Sequence, residues 1–165
     1  MKKLIDNNER INKILNNEDF IKYVNELKIL EEERKFCRHG IDHSLDVARI
    51  MYIKSLEENL NINKDIIYGA ALLHDLGRVL QYKENIEHHK GSSIIAKDIL
   101  IHCGYKEKEI EEILIAIENH RNNNKETNLS KLLYSCDKLS RLCFQCSSID
   151  ECNWKKEKKN MIITY

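Results

Sequence analysis

The chain has no proline and only five glycines in 165 residues. An all-β protein needs such residues at its frequent tight turns, so their scarcity argues against sandwiches and barrels and leaves helices as the natural reading. Also missing is any apolar run near the eighteen or so residues that a membrane span requires. Residues 1–30 begin Met-Lys-Lys but then mix Asp, Asn, Glu and Arg into every stretch, so no signal-like apolar core follows the basic start. No membrane partner is expected, and a cytoplasmic location is. Net charge is absent as well: 27 Lys and Arg balance 27 Asp and Glu. A neutral chain carries no broad basic field to condense onto a nucleic-acid backbone, so no nucleic-acid partner is expected and any phosphate binding must be local. No repeat or linker-like stretch interrupts the sequence, and the length suits a single domain over residues 1–165 with one sizeable core.

What is present is helical periodicity. Phe20, Tyr23, Val24, Leu27 and Leu30 recur at steps of three and four, which predicts a helix from about Glu18 to Arg34, with a shorter one before it from Ile5 to Leu15. Asp42 is read as the N-cap of a helix beginning at His43, with Leu45, Ala48, Tyr52 and Leu56 as its stripe. Asp65 is read as the cap of the next, through Ile66, Ala70, Leu73 and Leu76, with Gly77 ending it in a left-handed conformation. Ser92 or Ser93 opens a fourth that stops at Gly104. A fifth runs from about Lys106 to Asn119 and carries its apolar rhythm straight onto His120. A sixth, opened by Ser130, bears Leu133, Cys136, Asp137 and Cys143. The expected fold class is therefore all-α, a single compact bundle of about six to seven helices.

Among seven histidines a His-Asp dipeptide is unremarkable, so context has to give His74-Asp75 its meaning. The pair closes an apolar helix, Ala-Ala-Leu-Leu-His-Asp-Leu-Gly-Arg over residues 70–78. His43 opens the preceding long helix in Asp-His-Ser-Leu-Asp-Val-Ala-Arg-Ile, and Asp137 lies alone in a later one, Tyr-Ser-Cys-Asp-Lys-Leu-Ser-Arg. This arrangement over residues 36–145 resembles the HD superfamily of metal-dependent phosphohydrolases, with residues 146–165 as a cysteine-containing C-terminal extension.

The resemblance implies an HD-domain-like fold and a divalent-metal site made by His43, His74, Asp75 and Asp137. Imidazole and carboxylate suit Fe, Mn, Zn, Co or Mg and leave coordination positions open. Two-metal relatives add histidines between the His-Asp pair and the last Asp, which here implies His88, with His89 as the substitute, and then His120; Asp75 would bridge. One or two ions would activate water for attack on a phosphate ester. Arg78, three residues past Asp75, and Lys138, beside Asp137, are expected to join His74 and Asp75 in the catalytic set as phosphate-binding cations. The implied partner is a small phosphorylated substrate, a nucleotide or dinucleotide, recognised by loops such as 78–90 and 121–128. An HD-type di-iron oxygenase and a metal-stabilised binding module without turnover are the alternatives.

Two features lie outside that pattern. His39 sits four residues before His43, but Gly40 intervenes, so it is read as a pocket-wall residue; the charged runs Glu31–Arg34 and Lys155–Lys159 are read as solvated faces. The six cysteines read as reduced thiols in a chain with a full-sized core. Three of them follow Cys143-x2-Cys146-x5-Cys152, and Cys37, which lies as far before His43 as Cys143 lies after Asp137, is the candidate fourth ligand of a structural zinc. Small core side chains are the competing reading for Cys143 and Cys146.

Overall fold

The structure is a computed structural model that describes residues 8–121 and 126–165. Those residues form eight α-helices and no strand: α1 (Glu9–Leu15), α2 (Glu18–Leu30), α3 (Ile41–Glu57), α4 (Lys64–Leu73), α5 (Arg78–Glu84), α6 (His88–His102), α7 (Glu107–Asn119) and α8 (Asn128–Leu139). Short 3-10 turns follow at Cys143–Gln145, Ile149–Glu151 and Lys156–Lys158. The all-α fold expected from the scarcity of turn formers is what the chain adopts, and no described helix is long and apolar enough to cross a membrane. The start expected for α1 at Ile5, and residues 122–125 of the 121–128 loop, lie outside the described residues.

Helix starts follow side-chain capping. The side-chain oxygens of Asn17, Asn63 and Thr127 accept hydrogen bonds from the backbone amides of Phe20, Asp65 and Ser130, supplying the donors left over at the first turns of α2, α4 and α8. Asn63 and Thr127 thus take the capping roles expected of Asp65 and Ser130. α3 begins at Ile41 behind Gly40, so Asp42 lies inside the helix and His43 in its first turn. The largest boundary difference is at α6, which opens at His88, four residues before Ser92. Ser92 is no cap: it is fully buried, and its hydroxyl accepts a hydrogen bond of 2.8 Å from the amide of Gly77. Residues 78–84, expected as loop, form α5, and α8 ends at Leu139, which leaves Cys143 in a 3-10 turn.

α4 is the axis of the bundle. Ile66, Ile67, Ala70, Ala71, Leu72 and Leu73 are all buried, so the helix is apolar nearly all round, as a helix packed on several sides must be. It packs against α1, α3, α6, α7 and α8. Arg10 clamps three elements together, reaching Asp65 of α4 at 2.7 Å and Glu109 of α7 at 2.6 Å while stacking over the Tyr105 ring. The C-terminal end of α4 therefore discharges its polar residues, His74 and Asp75, into the middle of the molecule. α3 and α8 pack on each other, as do α6 and α7, so two helix pairs present their own polar residues to that point.

Candidate metal centre

His74 is the C-cap of α4 and Asp75 the next residue of a turn running to Gly77. Leaving the helix here lets two neighbouring side chains converge, which successive residues inside a helix cannot do. His43, His74, Asp75 and Asp137 place one ligand atom each within 4.8 Å of one another, as do Asp75, His88 and His120. Asp75 belongs to both groups. Its Oδ2 faces His74 Nε2 at 3.1 Å and His43 Nε2 at 3.6 Å; its Oδ1 faces His88 Nε2 at 3.8 Å and His120 Nε2 at 4.0 Å. Atoms bound to one ion at about 2.0–2.2 Å stand no more than about 4.4 Å apart, and these four Asp75–histidine distances, 3.1 to 4.0 Å, lie within that span.

The histidine tautomers fit the same reading. His74 Nδ1 lies 2.7 Å from the Ala71 carbonyl, which can only accept, so that nitrogen carries the proton and Nε2 points at the centre. His120 repeats the device against the Ile117 carbonyl. At His43 the acceptor is Ser140 Oγ, 3.1 Å away, whose own proton is committed to the Asp137 carbonyl at 2.8 Å. Three imidazoles are thus fixed with Nε2 inward, which is how metal-binding histidines are oriented by their other nitrogen. His74 Nε2 is fully buried with no hydrogen-bond partner among the described residues, the kind of atom that demands a missing ligand. Arg141 supplies a stand-in cation: its Nη2 lies 3.0 Å from His43 Nε2 and 3.3 Å from Asp137 Oδ1.

The two groups differ in charge. Burial alone would push the His74 imidazole down, but Asp75 and Asp137 outweigh it and hold its pKa up at about 10. Burial pushes His88 down to about 3, helped by Arg78, and His120 down to about 4, helped by His74. Without metal, one imidazole is charged and two are neutral near pH 7. Protons therefore shape stability in a definite way. Below the ordinary value of 6.5 the unfolded chain protonates two histidines that the folded protein keeps neutral until about 4 and 3, so stability falls with falling pH. Above 6.5 the folded protein still holds the His74 proton that the unfolded chain has released, so stability falls again toward pH 10. The melting temperature of EDTA-treated protein is expected to peak near pH 6.5, and saturating metal to remove the alkaline decline by replacing the His74 proton. A flat profile between pH 5 and 9 would contradict this.

Of the other expected site residues, Arg78 joins the centre, its Nε donating to Asp75 Oδ1 at 3.0 Å. His88 is buried against His120, with Nε2 atoms 3.3 Å apart, whereas His89, the substitute ligand, is only partly buried and belongs to neither cluster. One position along a helix turns a side chain by about 100°, and His88 alone faces inward. Lys138 does not reach the site. Its ammonium lies 3.4 Å over the Tyr134 ring centroid and bonds the Tyr134 carbonyl, a cation–π position that turns it along α8. Arg141, four residues on from Asp137, is a cation that does face the cleft. Nor do the cysteines form a ready site: no three of their sulfurs lie within 4.8 Å of one another among the described residues, and all six are free thiols.

Glu31, read as part of a solvated run, is 2% exposed. Its carboxylate accepts from His39 Nδ1 at 2.6 Å, from the His39 amide at 2.7 Å and from the Tyr82 hydroxyl at 2.9 Å. This fixes His39 in the wall of the cleft, edge-on to His43 with ring centroids 5.9 Å apart. A glutamate just past the end of α2 gives no periodic signal, and only the distant tyrosine and histidine that bury it reveal its role. Beside the centre opens a cavity of about 630 Å³. Arg34, Lys35, Arg78, Arg121, Arg141 and Lys159 line it, against the carboxylates of Asp42, Asp46 and Asp137. A chain with no net charge has gathered a local cationic surface there.

A family model for the HD domain matches residues 40–142, well over half of the chain, and the chain belongs to that family, within the HD superfamily of metal-dependent phosphohydrolases. A Clostridium beijerinckii protein described as an uncharacterized protein is 50% identical over 157 residues, covering 95% of this chain and 99% of that one. No solved structure matches.

Proposed function

We propose that the protein is a phosphohydrolase that uses one or two divalent ions, held by His43, His74, Asp75 and Asp137 and by Asp75, His88 and His120, to cleave a small phosphorylated compound of the nucleotide or dinucleotide class. The observation that carries the reading is the sharing of Asp75, one carboxylate oxygen toward each ligand group, beside a cation-lined cavity. Bound divalent ions supply Lewis-acid polarisation of a phosphoryl oxygen and lower the pKa of water at the centre. Arg78, held on Asp75, and Arg141, poised at the mouth, present planar donor forks matched to phosphoryl oxygens. The volume suits a nucleotide-sized ligand, within the few hundred to 1,000 Å³ of small-molecule sites. His39, held neutral by burial and anchored on Glu31, walls the cleft beside the His43 end.

Elemental analysis of the purified protein, with an anaerobic panel of nucleotides, dinucleotides and phosphate monoesters, tests the reading. Release of phosphate or a nucleoside monophosphate without oxygen supports hydrolysis; turnover that requires oxygen and iron would replace it with the oxygenase alternative. Arg141→Ala is expected to lower kcat/KM by roughly 10- to 100-fold, the equivalent of a lost hydrogen bond between charged groups. The loss should fall mainly on KM and leave metal content unchanged. An unaffected KM would remove Arg141 from phosphate binding.

A further inference from the structure

The chain beyond Arg141 poses a problem of stability. From Arg141 to Tyr165 there is no α-helix, and only Cys143 and Ser148 are buried; Leu142, Phe144, Met161, Ile162 and Ile163 are exposed. Yet the segment follows a defined path. Asn160 Nδ2 donates to the carbonyls of Lys138, Leu139 and Arg141 at 2.6, 3.2 and 2.9 Å, closing the end of α8, and Lys159 reaches the Ile149 carbonyl at 2.6 Å. Ordering a residue costs about 1–2 kcal/mol of conformational entropy, while a hydrogen bond returns about 1 kcal/mol net. A segment this long with so little apolar burial lacks the usual means to offset that cost, which is where small coreless modules rely on a metal or disulfide.

The segment also carries sulfur, and the sulfur gathers. Cys37, Cys143, Cys146 and Cys152 line the same cavity. Cys143 opens a single 3-10 turn that Cys146 caps, the Cys146 amide donating to the Cys143 carbonyl at 3.2 Å. The loop bearing Cys37 is stitched to the segment on both sides: Ser148 Oγ donates to the Lys35 carbonyl at 2.9 Å, Arg141 Nη1 donates to the Arg38 carbonyl at 2.9 Å, and Lys35 pairs with Glu151. Burial pushes the Cys37 thiol up; the Arg141 guanidinium draws it back down, and the sulfurs of Cys143, Cys146 and Cys152 add a smaller upward push, so all three lie within electrostatic reach of it. Mutual repulsion of thiolates is what a bound cation relieves.

We infer that Cys37, Cys143, Cys146 and Cys152 form a second, four-thiolate metal site that clips the C-terminal segment to the loop before α3. The ligand is a thiophilic metal, either a single zinc or an iron–sulfur centre. Zinc–sulfur bonds of about 2.3 Å set sulfurs roughly 3.8 Å apart. Because the metal-free thiols are wider than this as a set, binding draws the turns inward. The clip would fix the wall that carries His39 and Arg141, so the site serves the catalytic cleft without touching the reacting atoms.

The test uses full-length protein purified without chelator under reducing, anaerobic conditions, in an Asp75→Asn background that removes the shared ligand of the other centre. Roughly one zinc per chain, or iron with acid-labile sulfide, is expected to survive dialysis. It should be released as a mercurial titrates four thiols, and be absent from Asp75→Asn/Cys146→Ser. Zinc without sulfide assigns a mononuclear site; iron with sulfide assigns a cluster; either supports the inference. The mercurial titration needs no cysteine variant, so a misfolded Cys146→Ser protein does not remove the test. Equal metal content with and without Cys146, or four freely reactive thiols in native protein with no metal released, would overturn the inference while leaving the phosphohydrolase reading untouched.

Discussion

Asp75→Asn is expected to abolish turnover while leaving the helical circular dichroism unchanged. Asp75 is the one residue common to both ligand groups, so replacing a carboxylate oxygen with an amide weakens both ions at once. Lewis-acid stabilisation is worth several kcal/mol in the transition state, and each 1.4 kcal/mol is a factor of ten, so the loss should be about a thousandfold or more. Metal content should fall with it. His74→Ala should match it in activity and lose ions chiefly from the His43–Asp137 group. Neither change breaks a helix, because His74 and Asp75 lie at and beyond the end of α4. Full turnover with full metal content in either variant would mean that the ions, and the chemistry, lie elsewhere.

That this prediction could be framed from residue order alone says where the information sits. The apolar stripes of α2, α3, α4, α7 and α8 repeat at three and four, and a buried face specified that strongly leaves little freedom in how the helices lie. The stripe of α7 running onto His120, and the small residues around Asp137, therefore point their polar members inward. What was not legible depends on partners distant in sequence. Glu31 is buried because His39 and Tyr82 surround its carboxylate. Lys138 leaves the cleft because Tyr134, one turn earlier, offers a ring to cover. Ser92 and Ser93 resemble caps by composition, yet one takes the Gly77 amide and the other bonds Glu118 at 2.7 Å, so α6 begins a turn sooner than its serines suggest. The cysteines follow the same rule in reverse: their spacing is local, but what brings Cys37 beside the other three is the fold.

Gly77 shows how a residue can be read for the right importance and the wrong reason. Its expected role was a left-handed helix stop, but its φ is −65°, which any residue adopts; among the described glycines, Gly104, at φ +80°, is the one that makes such a turn. What Gly77 provides is proximity. A Cβ there would lie 2.0 Å from the Ser92 amide nitrogen, 2.1 Å from the His88 carbonyl oxygen and 2.5 Å from the Gly91 carbonyl carbon. All three are backbone atoms, so no side-chain rotation relieves the clash and α6 itself must move. Overpacking a core by a methyl group typically costs 1–3 kcal/mol even where side chains can adjust, and here the Gly77–Ser92 hydrogen bond is strained too. Gly77→Ala is therefore expected to destabilise the protein by about 3 kcal/mol or more in denaturant unfolding. The displaced element carries His88, so metal in the Asp75–His88–His120 group should be lost before the His43–Asp137 group is affected. Gly40→Ala is the matching control, because Gly40 sits at φ −71° with nothing within 4 Å of an added Cβ, and it should change stability by less than about 0.5 kcal/mol. If both variants unfold at the wild-type denaturant midpoint, the contact between the Gly77 turn and α6 is not what holds the two ligand groups at their shared carboxylate.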